Sequence, residues 1–375
     1  MTTRFDAAIV GGGPAGATVA LCLARRGWRV CLFEATRFDG ERYGETLPPE
    51  INPLLRELGV FDEFRALAPL ESPGIVSIWG GPPSEQDYLC NRHGPGWHID
   101  RNRFDQMLCR QAAVAGAEVF EGCRADVDGD TGGDAGRDIR SSSAARWRIG
   151  DIAARVLVDA SGHNGLRIGR GGQRIGAGGR RETEDRLLAI VLRLIHPGGA
   201  PSDQRTYVET TRDGWWYSAP LPQGETIAMF FTDCGLYARE GIVPEEQLSQ
   251  ASLTRGRLLG AIPVATRTVY ASSSCRAAIA GEAWLATGDS ASSYDPLSGR
   301  GILKALRQAT NAAIAVDGFL RGETGLLADY AALIRREFDG YVRERRAHYA
   351  AERRWTGREF WDKRCRPDEP APIPP

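Results

Sequence analysis

Short apolar runs flank one helical stretch over the first 34 residues of the chain. Phe5–Val10 and Arg29–Glu34 are dominated by apolar residues, which is typical of short buried strands. Between them, Ala15–Arg26 carries good helix formers at helical spacing, and Gly27 follows as a helix-ending residue. The pattern therefore predicts a β–α–β unit of about 30 residues.

The rest of the chain divides into a central segment with strand-like patterning and flanking segments of mixed type. Between about 187 and 271 the pattern favours strands, so we expect a mostly β insert inside an α/β protein. The further predicted elements are, in chain order, a helix at Asp100–Ala115, strands at Ala117–Phe120, Arg155–Ala160, Leu188–Leu194, Gln204–Glu209, Trp215–Leu221, Glu225–Phe231 and Glu282–Thr287, and helices at Gly301–Leu320 and about Leu326–Asp362.

Four segments have a distinctive polar composition. Asp126–Ser143 predicts a solvated hairpin tip or a mobile loop, and Gly165–Arg181 predicts a connecting loop. Pro367–Pro375 predicts a tail that need not fold. Tyr341–Arg366 carries nine basic residues against four acidic ones. A solvated helix face explains this excess, and so does a docking surface for an acidic protein partner.

The overall composition is that of a folded protein with about two domains. The chain has 375 residues, 25% of them charged, and a formal net charge of −1, which excludes a whole-chain basic footprint for nucleic acid. No apolar run approaches the ~20 residues of a membrane span, and Met1–Phe5 is too short for a signal peptide. The eight cysteines form no CxxC pair, so we expect reduced thiols, no metal site and a cytoplasmic location.

The turn after the first predicted strand has the residues that a dinucleotide phosphate needs. Gly11, Gly13 and Gly16 fit the pattern GxGxxG between a strand and a helix, where the helix N-terminus offers free N–H groups to a pyrophosphate. Glu34 ends the second strand, in position to bind ribose hydroxyls. A glycine turn without a ligand is the alternative. The predicted cofactor-binding residues here are Gly11, Gly13, Pro14, Ala15, Gly16, Glu34 and Ala35.

A second motif lies near the C-terminus and distinguishes FAD from NAD. Residues 284–302 combine a strand, Gly-Asp, a proline-containing loop and a helix start. With the N-terminal loop, this motif resembles the flavoprotein monooxygenases of the p-hydroxybenzoate hydroxylase fold. The resemblance implies that Asp289 binds ribityl or ribose hydroxyls of FAD, and that Pro296, Gly299, Gly301 and Ile302 lie beside the flavin ring.

The same resemblance implies further contacts and the source of the electrons. Arg103 is expected to reach the FAD phosphates, although Arg101 could do so instead. A second strand–helix GxGxxG unit is missing from the sequence, so electrons are expected from NAD(P)H directly or through a separate reductase. Molecular oxygen is the expected co-substrate, since reduced FAD in this family forms an electrophilic hydroperoxide.

Residues on the substrate side come from two other segments. In Gly44-Glu-Thr-Leu-Pro-Pro49 the resemblance implies that Glu45 and Thr46 pass close to the flavin, and with Pro296 they are the candidate catalytic residues. A proline-stopped turn is the alternative. Trp215, Trp216 and Tyr217 are expected to line an aromatic-accepting pocket, with a packed sheet core as the alternative.

The sequence also favours one branch of this family over another. GWWYSAP at 214–220 is similar to the WxWxIP segment of flavin-dependent halogenases but departs from it at Tyr217 and Ala219. Halogenases of this family need a lysine amine in the first third of the chain, whereas the only lysines here are Lys304 and Lys363. Halogenation is therefore not expected.

The three motifs together resemble the flavoproteins that mature tryptophylquinone cofactors by hydroxylating a tryptophan in a protein substrate. This predicts an FAD-dependent monooxygenase with a protein or peptide partner. The alternatives are a hydroxylase of a free aromatic metabolite, a flavin-dependent alkene reductase of the geranylgeranyl reductase type, and a non-enzymatic FAD-binding regulator.

The expected architecture is α/β, with a Rossmann-like FAD-binding domain assembled from discontinuous segments, a β-rich substrate domain and a C-terminal helical segment. The predicted bounds are 1–75, 99–175 and 276–325 for the FAD-binding domain and 76–98 with 176–275 for the substrate domain. The helical region covers 326–366 and the flexible tail 367–375.

Overall fold

The computed structural model describes residues 2–128, 145–163, 165–168, 173–174 and 180–365. Most of the two predicted loops at Asp126–Ser143 and Gly165–Arg181, and the whole predicted tail, lie outside these residues. The strands are, in chain order, β1 (Thr3–Val10), β2 (Val30–Glu34), β3 (Thr46–Leu47), β4 (Leu70–Ser72), β5 (Gly74–Ile78), β6 (Ser84–Asp87), β7 (Gly96–His98), β8 (Glu118–Glu121), β9 (Val127–Asp128), β10 (Trp147–Ile149), β11 (Ile152–Asp159), β12 (Arg167–Ile168), β13 (Gln173–Arg174), β14 (Arg181–Thr183), β15 (Leu187–Ile195), β16 (Thr206–Thr211), β17 (Gly214–Pro220), β18 (Thr226–Asp233), β19 (Ile262–Tyr270), β20 (Ser274–Arg276), β21 (Ala280–Gly281), β22 (Trp284–Ala286) and β23 (Ser292–Ser293).

The α-helices connect these strands and close the chain. They are α1 (Pro14–Arg25), α2 (Ile51–Glu57), α3 (Phe61–Ala66), α4 (Arg101–Val114), α5 (Cys234–Glu240), α6 (Pro244–Leu248), α7 (Ser252–Arg257), α8 (Gly301–Arg321), α9 (Leu326–Ala351) and α10 (Glu359–Cys365).

The centre of the largest sheet is parallel, in the order β8–β2–β1–β11–β22. Its strands are almost wholly buried apolar segments, as expected for a parallel sheet covered on its faces. Helix α1 packs against both α4 and α8. Because all five strands run the same way, the residues that follow their carboxyl ends meet at one edge of the sheet, where α/β folds bind ligands.

A second sheet of seven strands holds the central part of the chain, in the order β19–β15–β18–β17–β16–β5–β6. Strands β15, β17 and β18 are buried over nearly their whole length and form a separate apolar cluster with α10. A third, small sheet has the strand order β3–β7–β4. The antiparallel pairing of β3 with β7 places Thr46 opposite His98. This pairing brings a histidine to a segment predicted to face the substrate.

The structure contains several elements beyond the predicted ones, and it differs from the predicted pattern most clearly in the insert and in the last predicted helix. The insert contains α5, α6 and α7, which the strand pattern did not predict, although Asp233 caps α5 through its carboxylate and Gly241 ends it with φ of 59°. The predicted helix Leu326–Asp362 is divided into α9 and α10. The backbone of Glu352 is extended and ends α9, and its buried carboxylate accepts hydrogen bonds from Gly80 N–H at 2.9 Å and Thr210 Oγ1–H at 2.6 Å.

The basic segment at 341–366 is only partly a solvated surface. Arg345 and Arg364 are buried, and both pair with the carboxylate of Asp185. All eight cysteines are free thiols. Within the described ranges no helix has both the length and the apolar character needed to cross a membrane, and no group of His, Cys, Asp or Glu side chains is arranged to hold a metal ion.

Candidate functional site

The turn after β1 is shaped by glycines that a side chain would disrupt. Gly11 has φ of 107°, and a Cβ there would lie 2.3 Å from the Ala160 carbonyl oxygen. A Cβ on Gly16 would lie 1.9 Å from the carbonyl oxygen of Gly11. A Cβ on Gly13 would instead meet no heavy atom within 4 Å. The first and third glycines thus permit close packing, while the middle one leaves space for a ligand at the N-terminus of α1.

Glu34 is the last residue of β2 and is held in place by its neighbours. Its Oε2 accepts the Gly12 N–H at 2.8 Å, and its Oε1 accepts the Thr36 N–H at 2.9 Å. The Arg42 guanidinium also donates to Oε1 at 2.8 Å. The carboxylate is therefore oriented beside the glycine turn, where it lines the same cavity as Gly13.

Arg101, and not Arg103, reaches this cavity. Arg101 pairs with Asp105 at 3.1 Å and donates to the Tyr43 carbonyl, and both Arg101 and Asp105 line the cavity. Arg103 instead lines a separate space of about 290 Å³ between α3 and α4, near Glu63. Side chains two positions apart on a helix point about 200° apart, so one turn of α4 cannot present both residues to one site.

Asp289 lies after the last parallel strand and is paired with one of the two lysines of the chain. The Lys304 ammonium donates to Asp289 Oδ1 at 2.7 Å and also to the Ser292 carbonyl. Desolvation by the surrounding atoms would raise the pKa of Asp289, but the Lys304 ammonium, together with His163 and Arg181, lowers it below its ordinary value. Asp289 lines the cavity as an ionised carboxylate held in one orientation.

The loop before α8 is anchored from the C-terminal helix α9. Asp295 accepts hydrogen bonds from Arg345 Nε at 3.1 Å and from the Tyr349 hydroxyl at 2.7 Å. Pro296, Gly299, Gly301 and Ile302 follow and line the cavity. A Cβ on either glycine would meet no heavy atom within 4 Å, so this segment leaves room for a flat group, and the N-terminus of α8 favours negative charge there.

Glu45, Thr46 and Tyr217 line the cavity together. Glu45 is buried, its Oε2 accepts the Gly44 N–H at 3.0 Å, and burial raises its pKa to about 7 despite the nearby Arg101. Thr46 Oγ1 lies 2.6 Å from the Tyr217 hydroxyl and 3.1 Å from His98 Nδ1. His98 was not expected from the sequence, because only the β3–β7 pairing brings it to Thr46.

Trp215 and Trp216 are core residues that do not line the cavity. Both are 0% exposed. Trp215 stacks on Phe231 with ring centroids 4.0 Å apart and donates its indole N–H to the Tyr349 hydroxyl at 3.0 Å. Trp216 packs on Phe230. Of the three predicted substrate residues, the structure brings only Tyr217 to the cavity. Trp216 lies on the opposite face of β17 because neighbouring strand residues face opposite sides. Trp215 shares the face of Tyr217 but is enclosed by Phe231 and Tyr349.

The cavity has a volume of about 1290 Å³ and runs between the two large sheets, above the range of about 300–1,000 Å³ usual for one small ligand. One end holds Gly11, Gly13 and Glu34, and the other is walled by apolar residues of the second sheet. The apolar wall consists of Ala189, Met229, Phe231, Val269 and Ala271.

These residues fit FAD. Gly13, Gly299 and Gly301 leave open space along one cavity. The N-terminus of a helix adjoins each end of that space, which favours the binding of negatively charged groups. The carboxylates of Glu34 and Asp289 line the same cavity and can accept hydrogen bonds from hydroxyl groups. The pyrophosphate would lie at Gly13, the ribose at Glu34, and the flavin beside the Pro296 loop. The fold and the site define an FAD-dependent oxidoreductase.

Comparison with known sequences identifies the family. The sequence model of the FAD dependent oxidoreductase family matches residues 6–45, and that of the tryptophan halogenase family matches residues 81–373. The chain belongs to the tryptophan halogenase family.

The curated relatives that match by sequence include a halogenase and a protein named as an FAD-dependent oxidoreductase. Tryptophan 2-halogenase of Chondromyces crocatus is 34% identical over 163 residues, which cover 42% of this chain and 30% of that protein. LodB of Marinomonas mediterranea, which carries the name of an FAD-dependent oxidoreductase, is 26% identical over 385 residues, covering 96% of both chains. The chain spans between 30% and 65% of the length of the first three halogenases that it matches.

The solved structures that share the fold include a halogenase and a hydroxylase. The myxobacterial chondrochloren halogenase CndH superposes with a TM-score of 0.82 at 24% identity, covering 96% of this chain and 86% of that one. The peptidyl tryptophan dihydroxylase QhpG, described as essential for tryptophylquinone cofactor biogenesis, superposes with a TM-score of 0.72 at 23% identity, covering 96% and 79%. At these identities the likeness concerns the fold, which both a halogenase and a hydroxylase adopt.

Proposed function

We propose that the protein is an FAD-dependent monooxygenase that hydroxylates an electron-rich aromatic ring, and that its substrate is a tryptophan side chain in a protein precursor of a tryptophylquinone cofactor. The observation that carries the proposal is the single cavity that joins the dinucleotide turn to an apolar chamber containing Glu45 and Tyr217. Neither lysine of the chain lines this cavity.

The chemistry divides between the cofactor and the side chains. Bound and reduced FAD supplies the activation of molecular oxygen, with electrons from NAD(P)H or a separate reductase. The apolar wall formed by Ala189, Met229 and Phe231 excludes water and accepts a flat ring. Glu45 lies at the same chamber, and its pKa of about 7 allows it to accept the proton that the ring carbon loses after hydroxylation.

The positions of the two lysines support hydroxylation over halogenation. The Lys304 ammonium is committed to Asp289 and to the Ser292 carbonyl. Lys363 lies on α10, where it pairs with Asp233 at 3.1 Å and Glu359 at 2.8 Å. Neither amine is placed to meet a substrate at Glu45. Halogenation is nevertheless the second candidate, because the family and most matched relatives bear halogenase names.

An exposed strand beside the cavity supports a protein-borne substrate. Within the described residues β19 pairs only with β15, so its other edge offers unpaired backbone groups. Ile262, Val264 and Tyr270 are 51%, 52% and 70% exposed, and Tyr270 lines the cavity. An exposed apolar edge of this kind suits an added strand from another polypeptide, which would bring its tryptophan to the chamber.

The test uses the FAD-loaded protein with N-acetyltryptophanamide as the probe. The bound flavin is reduced, and the protein is then mixed with isotopically labelled molecular oxygen in a buffer containing bromide. The mass of the product is measured by mass spectrometry. Labelled oxygen in the indole ring is the expected result. Bromine in the ring would establish halogenation instead, and a saturated or unchanged probe would reject both. Glu245→Gln, an exposed carboxylate, is the control for Glu45→Gln, which is expected to slow product formation.

A further inference from the structure

The hydrogen bonds around Tyr217 form a chain whose direction is determined at its far end. His98 Nε2 lies 2.7 Å from the Gln204 carbonyl oxygen. A carbonyl oxygen only accepts, so Nε2 carries a proton and donates it. His98 is 0% exposed, and burial with the nearby Arg257 lowers its pKa to about 4. The imidazole is therefore neutral at pH 7, and its Nδ1 is an acceptor.

The protonation of His98 in turn determines which hydroxyl donates in each of the two remaining hydrogen bonds of the chain. Since His98 Nδ1 accepts, the Thr46 hydroxyl donates to it across 3.1 Å. Thr46 has a single hydroxyl proton, so across the 2.6 Å separation it must accept from Tyr217. The reverse arrangement would place two lone pairs against each other between His98 and Gln204.

With these donors and acceptors assigned, the Tyr217 oxygen accepts no hydrogen bond from the protein residues that the structure describes. Its proton is committed to Thr46, and its oxygen receives no hydrogen bond in the described part of the chain. Tyr217 lines the cavity beside Glu45. Tyr217 is only partly buried, so this oxygen faces the cavity and is hydrated while the cavity holds no ligand. A ligand that displaces this water without donating to the oxygen leaves the acceptor unsatisfied, which is costly, so the oxygen selects for a ligand that carries a donor.

We propose that Tyr217 accepts a hydrogen bond from a ring N–H or O–H group of the substrate, and that Thr46 and His98 impose this role by orienting its hydroxyl. The inference rests on the proposed function for the aromatic nature of the substrate. It adds that the ring bears a donor, as indole and phenol do. Thr46 and His98 are positioning residues, whereas Tyr217 contacts the substrate.

The first test reads the direction of the chain without any substrate. In FAD-loaded protein labelled with nitrogen-15 in histidine, the ring nitrogens report which one is protonated. The chain has five histidines, and the signals of His98 are those missing from His98→Gln. Protonated Nε2 with unprotonated Nδ1 at neutral pH is expected. A protonated Nδ1 would reverse the hydroxyls and overturn the proposal.

The second test compares indole with benzofuran, which has nearly the same shape but an oxygen in place of the N–H. Binding to FAD-loaded protein is followed through the flavin absorbance. We expect the wild type to bind indole about tenfold more tightly, the value of one net hydrogen bond. Thr46→Val and Tyr217→Phe should bring the two affinities within about twofold, whereas Thr46→Ser should keep the preference.

The matched control is Thr206→Val, a buried threonine of β16 whose hydroxyl makes no hydrogen bond, and it should also keep the preference. The proposal is overturned if the wild type binds benzofuran as well as indole or binds neither, or if Thr46→Val retains the preference. Neither test involves turnover, so a failed oxygen-transfer assay would reject the proposed function while leaving the oriented acceptor intact.

Discussion

The buried carboxyl group of Glu45 predicts an unusual dependence of stability on pH. Its pKa is raised from an ordinary 4.5 to about 7, chiefly by burial. Below pH ~4.5 the group is protonated in both the folded and unfolded protein and has no effect. Between these values the folded protein binds more protons than the unfolded chain, so the free energy of unfolding falls as pH rises. Above pH ~7 the ionised group lowers the free energy of unfolding by its full amount, which is about 3 kcal/mol at about 1.4 kcal/mol per pKa unit.

Urea unfolding of the ligand-free protein, followed by tryptophan fluorescence between about pH 5 and about pH 8, measures this effect. The Glu45→Gln variant has no titrating group at position 45, so its free energy of unfolding relative to wild type should increase with pH by up to about 3 kcal/mol. Glu245→Gln removes an exposed carboxylate and should follow the wild type throughout. Parallel curves for wild type and Glu45→Gln would refute the reasoning.

Three further predictions concern the cofactor end and its support. Lys304→Met removes the cation that holds Asp289 and should weaken FAD binding about tenfold or more in equilibrium dialysis; unchanged affinity would show that the pair does not orient the carboxylate. Tyr349→Phe removes a buried hydroxyl with two hydrogen-bond partners and should cost about 1–3 kcal/mol in urea unfolding. Gly13→Ala should fold normally but bind FAD poorly, whereas Gly16→Ala should lower the melting temperature because its Cβ meets backbone; equal melting temperatures would contradict this difference.

The N-terminal unit could be predicted because its determinants are local. Gly11 and Gly16 belong to a strand–turn–helix segment in which neighbours in sequence are also neighbours in space. Glu34 ends β2 for the same reason. The proline loop before α8 could be recognised in the same way, and Pro296, Gly299 and Gly301 all line the cavity.

The substrate side could be predicted only in part. Tyr217 reaches the cavity but Trp215 and Trp216 do not. Strand alternation puts Trp216 on the opposite face, whereas Trp215 shares the face of Tyr217 and is enclosed by partners from other parts of the chain, Phe231 and Tyr349. His98 is distant from Thr46 in sequence and meets it only through the register of β3 with β7. A local sequence pattern does not predict a contact between two strands that are far apart in the chain.

The sequence by itself determined the class of cofactor, and it contained the glycine turn after β1 and the proline loop before α8, which the structure brings to one cavity. Tertiary structure decided which side chains act there. The orientation of α4 about its axis directs Arg101, and not Arg103, to the cavity. In the basic C-terminal segment, Arg345 points into the protein and forms a buried ion pair with Asp295. The physical reason is that a turn motif is stabilised by its own backbone, whereas the direction of a hydrogen bond or an ion pair depends on partners that only folding brings together.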